Sequence, residues 1–172
     1  MPLKPLEGVR VLDLTHAHAG PICTLYMAAM GAEVIKIEPP WGEMTRMFPP
    51  LVNGVSPYFA FLDRCKRGVT LNLKEPRGRE MFKGMAEKSD VVVENFSPGT
   101  MDDLGLGWEV LKELNPGVIF CSISGFGQTG PWRDRRSFDP IAQASSGYMW
   151  LMKDSIDPLG PPLQAPEAIA DT

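Results

Sequence analysis

Five short apolar runs, rich in β-branched residues and separated by helical stretches, restrict what this chain can fold into. They are VRVLDL (9–14), EVIKI (33–37), GVTLNL (68–73), DVVVEN (90–95) and VIFCSIS (118–124). VVV and VIF are continuous apolar runs and lack the alternation of a half-exposed strand, which suits strands covered on both faces. Between the first two runs, PICTLYMAAMG has Pro21 near a first helical turn, apolar residues at helical spacing and a closing Gly31 suited to a helix C-cap. A further helix is predicted from about Pro76 to Lys88, and a short one ends near Leu114 before the turn Asn115-Pro116-Gly117. Strands alternating with helices predict an α/β fold, a parallel sheet with helices on both faces, because parallel strands need crossover helices.

Open sheets of this kind take ligands beyond the carboxyl ends of their strands. The informative segments are therefore THAHAGP (15–21), EPPWGEMTR (38–46), NFSPG (95–99) and GFGQTGPWRDRRSFD (125–139). After Met152 the composition shifts, with four prolines between 158 and 166. That stretch reads as extended, since proline continues neither a helix nor a central strand.

The 172 residues, 44% hydrophobic and 22% charged, predict one soluble globular domain that buries roughly two thirds of its unfolded surface. Seventeen basic and 21 acidic side chains are interspersed, so no block of charge advertises nucleic acid or a membrane surface. An anionic ligand would need a local cluster. Cys23, Cys65 and Cys121 are an odd number at wide spacing, which fits neither a disulfide framework nor a zinc site. Asp13 cuts the first apolar run too short for a signal peptide, and no run approaches the ~20 residues of a membrane span. A cytoplasmic location is expected.

Several constellations carry competing readings. His16 and His18 form an H-x-H pair after a strand, yet no carboxylate or thiol sits nearby at ligand spacing, so no metal is assigned. A structural role suits His16, and His18 could line a ligand site at a helix start. GFGQTG (125–130) offers backbone amides to phosphate or carbonyl oxygens but matches neither the P-loop nor the dinucleotide spacing, and a plain turn stands beside that reading. Arg133, Arg135 and Arg136, with Lys66 and Arg67 as a second cluster and Lys74 at a strand end, read either as solvated faces or as phosphate ligands. Asp171 reads as a helix N-cap or as a carboxylate nucleophile, and composition does not choose.

Taken in order, GVRVLDLTHAHAGPICTLYMAAMGAEVIKIEPP, CKRGVTLNLKEPRGRE, SDVVVENFSPGTMDDLGLGWEVLKELNPGVIFCSISGFGQTGP and IADT resemble the amino-terminal part of the family III CoA-transferases (CaiB/BaiF, formyl-CoA transferase-like). The resemblance runs over essentially the whole sequence. It implies a Rossmann-like CoA-binding large domain within an interlocked homodimer, in longer chains of which this sequence would be less than half. The implied division is a partial large domain over 1–152 and a proline-rich extended segment over 153–172 leading to the catalytic aspartate. The implied activity moves CoA from an acyl-CoA thioester to a small carboxylic acid through an aspartyl-CoA thioester, with CoA as substrate and no permanently bound cofactor.

Carried over by position, the resemblance implies CoA contacts at His18 and Ala19, at Leu71, Asn72, Leu73 and Lys74, at Asn95, Phe96 and Ser97, and at Arg136. It places the catalytic aspartate at Asp171, with Asp139, Gly125 and Gly127 as substrate-site candidates. Pro39 and Asp103 replace basic residues of some members, so Arg46, Lys66, Arg67 or Arg136 would hold the CoA phosphates instead. Racemases of the superfamily carry a histidine base where this chain has Phe138. Phenylalanine exchanges no proton, so racemisation by that route is disfavoured. Left open beside the transferase are a non-catalytic CoA-binding module and an isomerase on the same scaffold.

Overall fold

A computed structural model describes residues 4–166 and 168–171. The chain divides into two compact units, Met1–Ile123 and Ser124–Thr172.

The first unit is built on five parallel strands. Along the chain run β1 (Arg10–Asp13), α1 (Ala19–Ala29), β2 (Glu33–Glu38), a 3₁₀ turn (Met44–Met47), α2 (Pro57–Leu62), β3 (Arg67–Thr70), α3 (Pro76–Ala86), β4 (Val91–Glu94), α4 (Thr100–Asp103), α5 (Trp108–Leu114) and β5 (Ile119–Ser122). The sheet order is β3-β2-β1-β4-β5, so the winding reverses between β1 and β4. Val11 lies opposite Val34 of β2 and Val91 of β4, and Val92 lies opposite Phe120.

The two-residue period of the strands builds a core on each face. Leu12, Ile37 and Val92 point to one side and meet Phe82 and Ala86 of α3 and Leu111 of α5. Val11, Val34, Val91 and Val93 point to the other, where Ala28 of α1 covers them. The double coverage expected from the continuous apolar runs is therefore present.

Three elements depart from expectation. β3 stops at Thr70, not at residue 73, because Asn72 Oδ1 accepts the Lys74 amide and turns the chain toward Pro76, the first residue of α3. The stretch before Leu114 is two helices, parted at 104–107, where the Leu106 amide folds back to the Met101 carbonyl.

The third concerns the second unit, which contains α6 (Asp139–Ser145) and α7 (Tyr148–Ile156). α7 carries residues 153–156, so the extended segment begins only at Asp157, whose φ of −146° and ψ of 91° follow from the proline after it. From there Leu163 donates its amide to the Met149 carbonyl, and a tight turn brings the Asp171 amide to the Ala168 carbonyl. Among the described residues no helix is long and apolar enough to cross a membrane.

Candidate active site

The carboxyl ends of β1 to β4 surround a cavity of about 480 Å³. Leu14, Thr15 and His16 follow β1; Glu38 to Met47 follow β2; Leu71 to Lys74 follow β3; Phe96, Thr100 and Leu104 follow β4. Five of the predicted contacts, Leu71, Asn72, Leu73, Lys74 and Phe96, thus line one cavity although up to 25 positions separate them in the chain. The interior is mostly apolar. Lys74 stands at the lip with its ammonium 5.7 Å from the centre of the Trp41 ring, an aromatic surface that is 70% exposed.

Side chains lock these loops together before any ligand arrives. Asn95 accepts the His16 amide at 2.9 Å and donates to the His16 carbonyl at 2.8 Å, joining the β1 and β4 loops where the winding reverses. Glu43 accepts the Ala17 amide at 2.8 Å and also binds the amide and hydroxyl of Thr45, joining the β1 and β2 loops. Glu38 takes a two-pronged ion pair from Arg46 at 2.6 and 2.7 Å, and this bond holds its carboxyl below the ordinary range against the opposing effect of burial. Both carboxylates on the cavity wall therefore have internal hydrogen-bond donors, and the charge of Glu38 is paired with Arg46.

The β1–α1 loop carries two of the other predicted contacts. His18 caps α1 without a side-chain cap bond, its Nδ1 lies 2.5 Å from the Tyr58 hydroxyl, and its Nε2 is buried with no hydrogen-bond partner among the described residues. Ala19 opens the helix, and Gly20 follows it so closely against Thr15 that a Cβ there would lie 2.3 Å from the Thr15 Cβ. His16 stacks obliquely on Phe96 with ring centres 5.1 Å apart. Burial, assisted by Lys36 and opposed by Glu43, moves its pKa down, which favours the neutral ring. Ser97 is exposed and its carbonyl accepts the Thr100 amide.

Among the predicted phosphate ligands, Lys66 and Arg67 are corrected by the structure. The Lys66 ammonium is buried, donating to Asp13 at 3.0 Å, to Asp63 at 2.8 Å and to the Pro21 carbonyl at 3.1 Å. Arg67 opens β3 at its amino end and pairs with Glu33 at 2.8 Å, away from the ligand side. Arg46 has Glu38 in its fork and the Phe59 ring 3.9 Å beneath it. Lys74 is the sequence-predicted cation that lines the cavity.

The remaining candidates belong to the second unit. Gly125 approaches Ser137 so closely that a Cβ would lie 2.1 Å from the Ser137 Cβ, and Gly127 adopts a φ of +81°. In the arginine cluster, Arg133 pairs with Asp134, Arg135 covers Trp132, and Arg136 is exposed. Asp139 is buried with both carboxylate oxygens bonded inside the fold, one to Gln143 and one to the Ala170 amide. Asp171 is half-buried on the turn that follows.

Sequence reasoning misses Trp41, Glu43, Met44, Met47, Thr100 and Leu104, all on the cavity wall. The segment EPPWGEMTR reads as ligand-side from its place after a strand, but nothing in its spacing tells which side chains turn inward.

A family model described as CoA-transferase family III matches residues 6–172. A succinyl-CoA:glutarate CoA-transferase from Mus musculus is 46% identical over 162 residues, covering 92% of this chain and 37% of that protein. A formyl-CoA:oxalate CoA-transferase from Streptomyces coelicolor is 42% identical over 175 residues, covering 100% of this chain and 41% of that protein. The crystal structure of a CAIB/BAIF family protein from Brucella suis superposes with a TM-score of 0.91 at 38% identity, over 98% of this chain and 45% of the other. The chain therefore spans less than half the length of these relatives.

Proposed function

The chain belongs to CoA-transferase family III, and we propose that its protein moves CoA from an acyl-CoA thioester to a small free carboxylic acid, with the Asp171 carboxylate as the nucleophile. The observation that carries the CoA reading is the cavity at the strand ends. It gathers Leu71–Lys74 and Phe96 around an apolar interior with Lys74 and Trp41 at its lip. An apolar, aromatic-lined space with a cation at its edge suits the nucleotide end of CoA, whose base is flat and whose phosphates are anionic. The relatives that exchange CoA with glutarate and oxalate support a small carboxylate as acceptor.

In the proposed sequence, an Asp171 oxygen attacks the thioester carbonyl, the carbon–sulfur bond breaks, and CoA leaves as a thiolate while a mixed anhydride forms. The thiolate then attacks the aspartyl carbonyl, releasing the donor acid and leaving an aspartyl-CoA thioester. An acceptor carboxylate attacks that thioester, and the thiolate returns to the acceptor's carbonyl, regenerating Asp171. A carboxylate is a weak nucleophile, so orientation supplies much of the rate, an effect that reaches about 7–11 kcal/mol in well-aligned systems. The Gly125 and Gly127 amides are candidate donors to the oxyanion, where one such bond is worth about 3–4 kcal/mol. Phe138 carries no ionisable group, which speaks against proton exchange at the substrate α-carbon. A cytoplasmic homodimer completes the proposal.

The test is Asp171→Ala in the full-length protein. Transfer between an acyl-CoA and a free acid should be abolished while CoA binding by calorimetry stays within severalfold of wild type. Hydroxylamine added to the wild-type enzyme with acyl-CoA should leave a hydroxamate on the peptide containing Asp171. Native-rate transfer by the variant would disprove the assignment, and a hydroxamate on another carboxylate would redirect it.

A further inference from the structure

We infer that Asp139 and Gln143 are positioning residues that hold the segment before Asp171 in one register and so aim its carboxylate. The inference rests on Asp171 being the nucleophile. Its basis is a chain of hydrogen bonds within the second unit that the chemical proposal does not use.

Asp139 opens α6 and Gln143 lies one turn later, with 5% and 1% of their surfaces exposed. The Ala165 amide donates to Gln143 Oε1 at 2.8 Å, Gln143 Nε2 donates to Asp139 Oδ2 at 2.5 Å, and the Ala170 amide donates to Asp139 Oδ1 at 2.7 Å. Two side chains one helical turn apart thus grip the strap at positions five residues apart, the second immediately before Asp171. Proline-rich segments form no ladder of their own, so these side-chain acceptors from a packed helix add to the Leu163–Met149 backbone bond in fixing this one.

The polarity of the chain is set from its ends. A backbone N–H only donates, so Gln143 must turn its oxygen to Ala165 and its NH₂ to Asp139, and position 139 must then accept on both sides. The substitution Asp139→Asn leaves one acceptor and one donor there. Whichever way the new amide is turned, its NH₂ meets either the Ala170 amide or the Gln143 NH₂, and flipping Gln143 as well only moves the conflict to Ala165. Gln143→Glu sets two carboxylates against each other. Combining Asp139→Asn with Gln143→Glu restores the donor and acceptor of each of these three bonds, because the amide introduced at 139 accepts from Ala170 and donates to the carboxylate introduced at 143, which still accepts from Ala165.

The experiment measures kcat and KM for acyl-CoA in the full-length protein, together with deuterium exchange at the Ala165 and Ala170 amides. Asp139→Asn and Gln143→Glu alone should each lower kcat on the order of 100-fold, the scale of an ångström-sized misplacement of a reacting group. KM should stay within severalfold and both amides should exchange faster. The double variant should recover most of the lost kcat and the amide protection. If Asp139→Asn fails to fold, Gln143→Met keeps the side-chain volume, drops the bonds to Ala165 and Asp139 and carries the same kcat test. Wild-type kcat in the single variants despite faster exchange would overturn the inference, as would a double variant no better than the singles. Retained transfer by Asp171→Ala would instead overturn the nucleophile reading on which it rests.

Discussion

Asp13 shows how far a residue's sequence reading can lie from its structural role. In the sequence it interrupts an apolar run; in the fold it is fully buried, accepting from the Thr15 amide and hydroxyl, from the Thr24 hydroxyl at 2.6 Å and from Lys66 at 3.0 Å. Lys36 lies 3.9 Å away and donates to the Thr15 carbonyl at 2.5 Å. Burial alone would raise the Asp13 pKa, but Lys36 and Lys66, aided by the two threonine hydroxyls, outweigh it and leave the group below its ordinary value of 3.8. A lowered folded pKa contributes stability that is complete above the unfolded value and is lost as pH falls through the folded one. Asp13→Asn, which leaves the buried ammonium groups of Lys36 and Lys66 to share the one carboxylate of Asp63, should therefore cost about 3–5 kcal/mol at neutral pH. Urea titrations should show that deficit beginning to shrink below about pH 3.8, where the carboxylate of the unfolded chain takes up its proton, and levelling off only once the pH has passed the lower folded value; an equal deficit across the range would refute the electrostatic account. Lys66 was legible as a cation but not as a buried one, since its partners lie 53 positions away at Asp13 and nearby at Asp63.

At the scale of elements, the passage from β3 to α3 shapes the cavity. Pro76 starts α3, and Gly78 lets the helix pass so close to the preceding turn that a Cβ there would lie 2.0 Å from the Asn72 carbonyl oxygen. Gly78→Ala should force apart the turn that presents Asn72, Leu73 and Lys74. We expect a loss of about 1–3 kcal/mol, the usual cost of overpacking, although alanine is the better helix former. Thermal unfolding should show a lowered midpoint and calorimetry a weaker affinity for CoA. A variant as stable and as tight-binding as wild type would mean that the turn yields without consequence. The five strands and the helices between residues 19 and 29, 76 and 86 and before Leu114 were legible because their apolar periods are strong; α2, α6 and α7 were not read from the sequence, and neither were the ends of the elements. β3 ends at Thr70 through a side-chain turn at Asn72, and α7 runs to Ile156 because the first proline that stops it lies at 158.

For the molecule as a whole, the cavity lies entirely within the first unit, whereas Asp171 and the residues that grip its strap lie in the second. Binding and chemistry should then separate in kinetics. Trp41→Ala should raise KM for acyl-CoA about tenfold, equal to ~1.4 kcal/mol, with kcat at saturation nearly unchanged, because it removes contact made equally with substrate and transition state. An unchanged KM would place the nucleotide elsewhere. By itself the sequence determined the parallel α/β architecture, the strand ends around which the cavity forms and the family to which the chain belongs. Those depend on local periodicity and on residues read in order along the chain. Only the tertiary structure decided which charges are available and which are consumed: Lys66 against Asp13, Arg46 against Glu38, and Asp139 against the Ala170 amide. Such pairings join residues from 8 to 53 positions apart, and the energy of a charge depends on its burial and its partner, neither of which is a property of the local sequence.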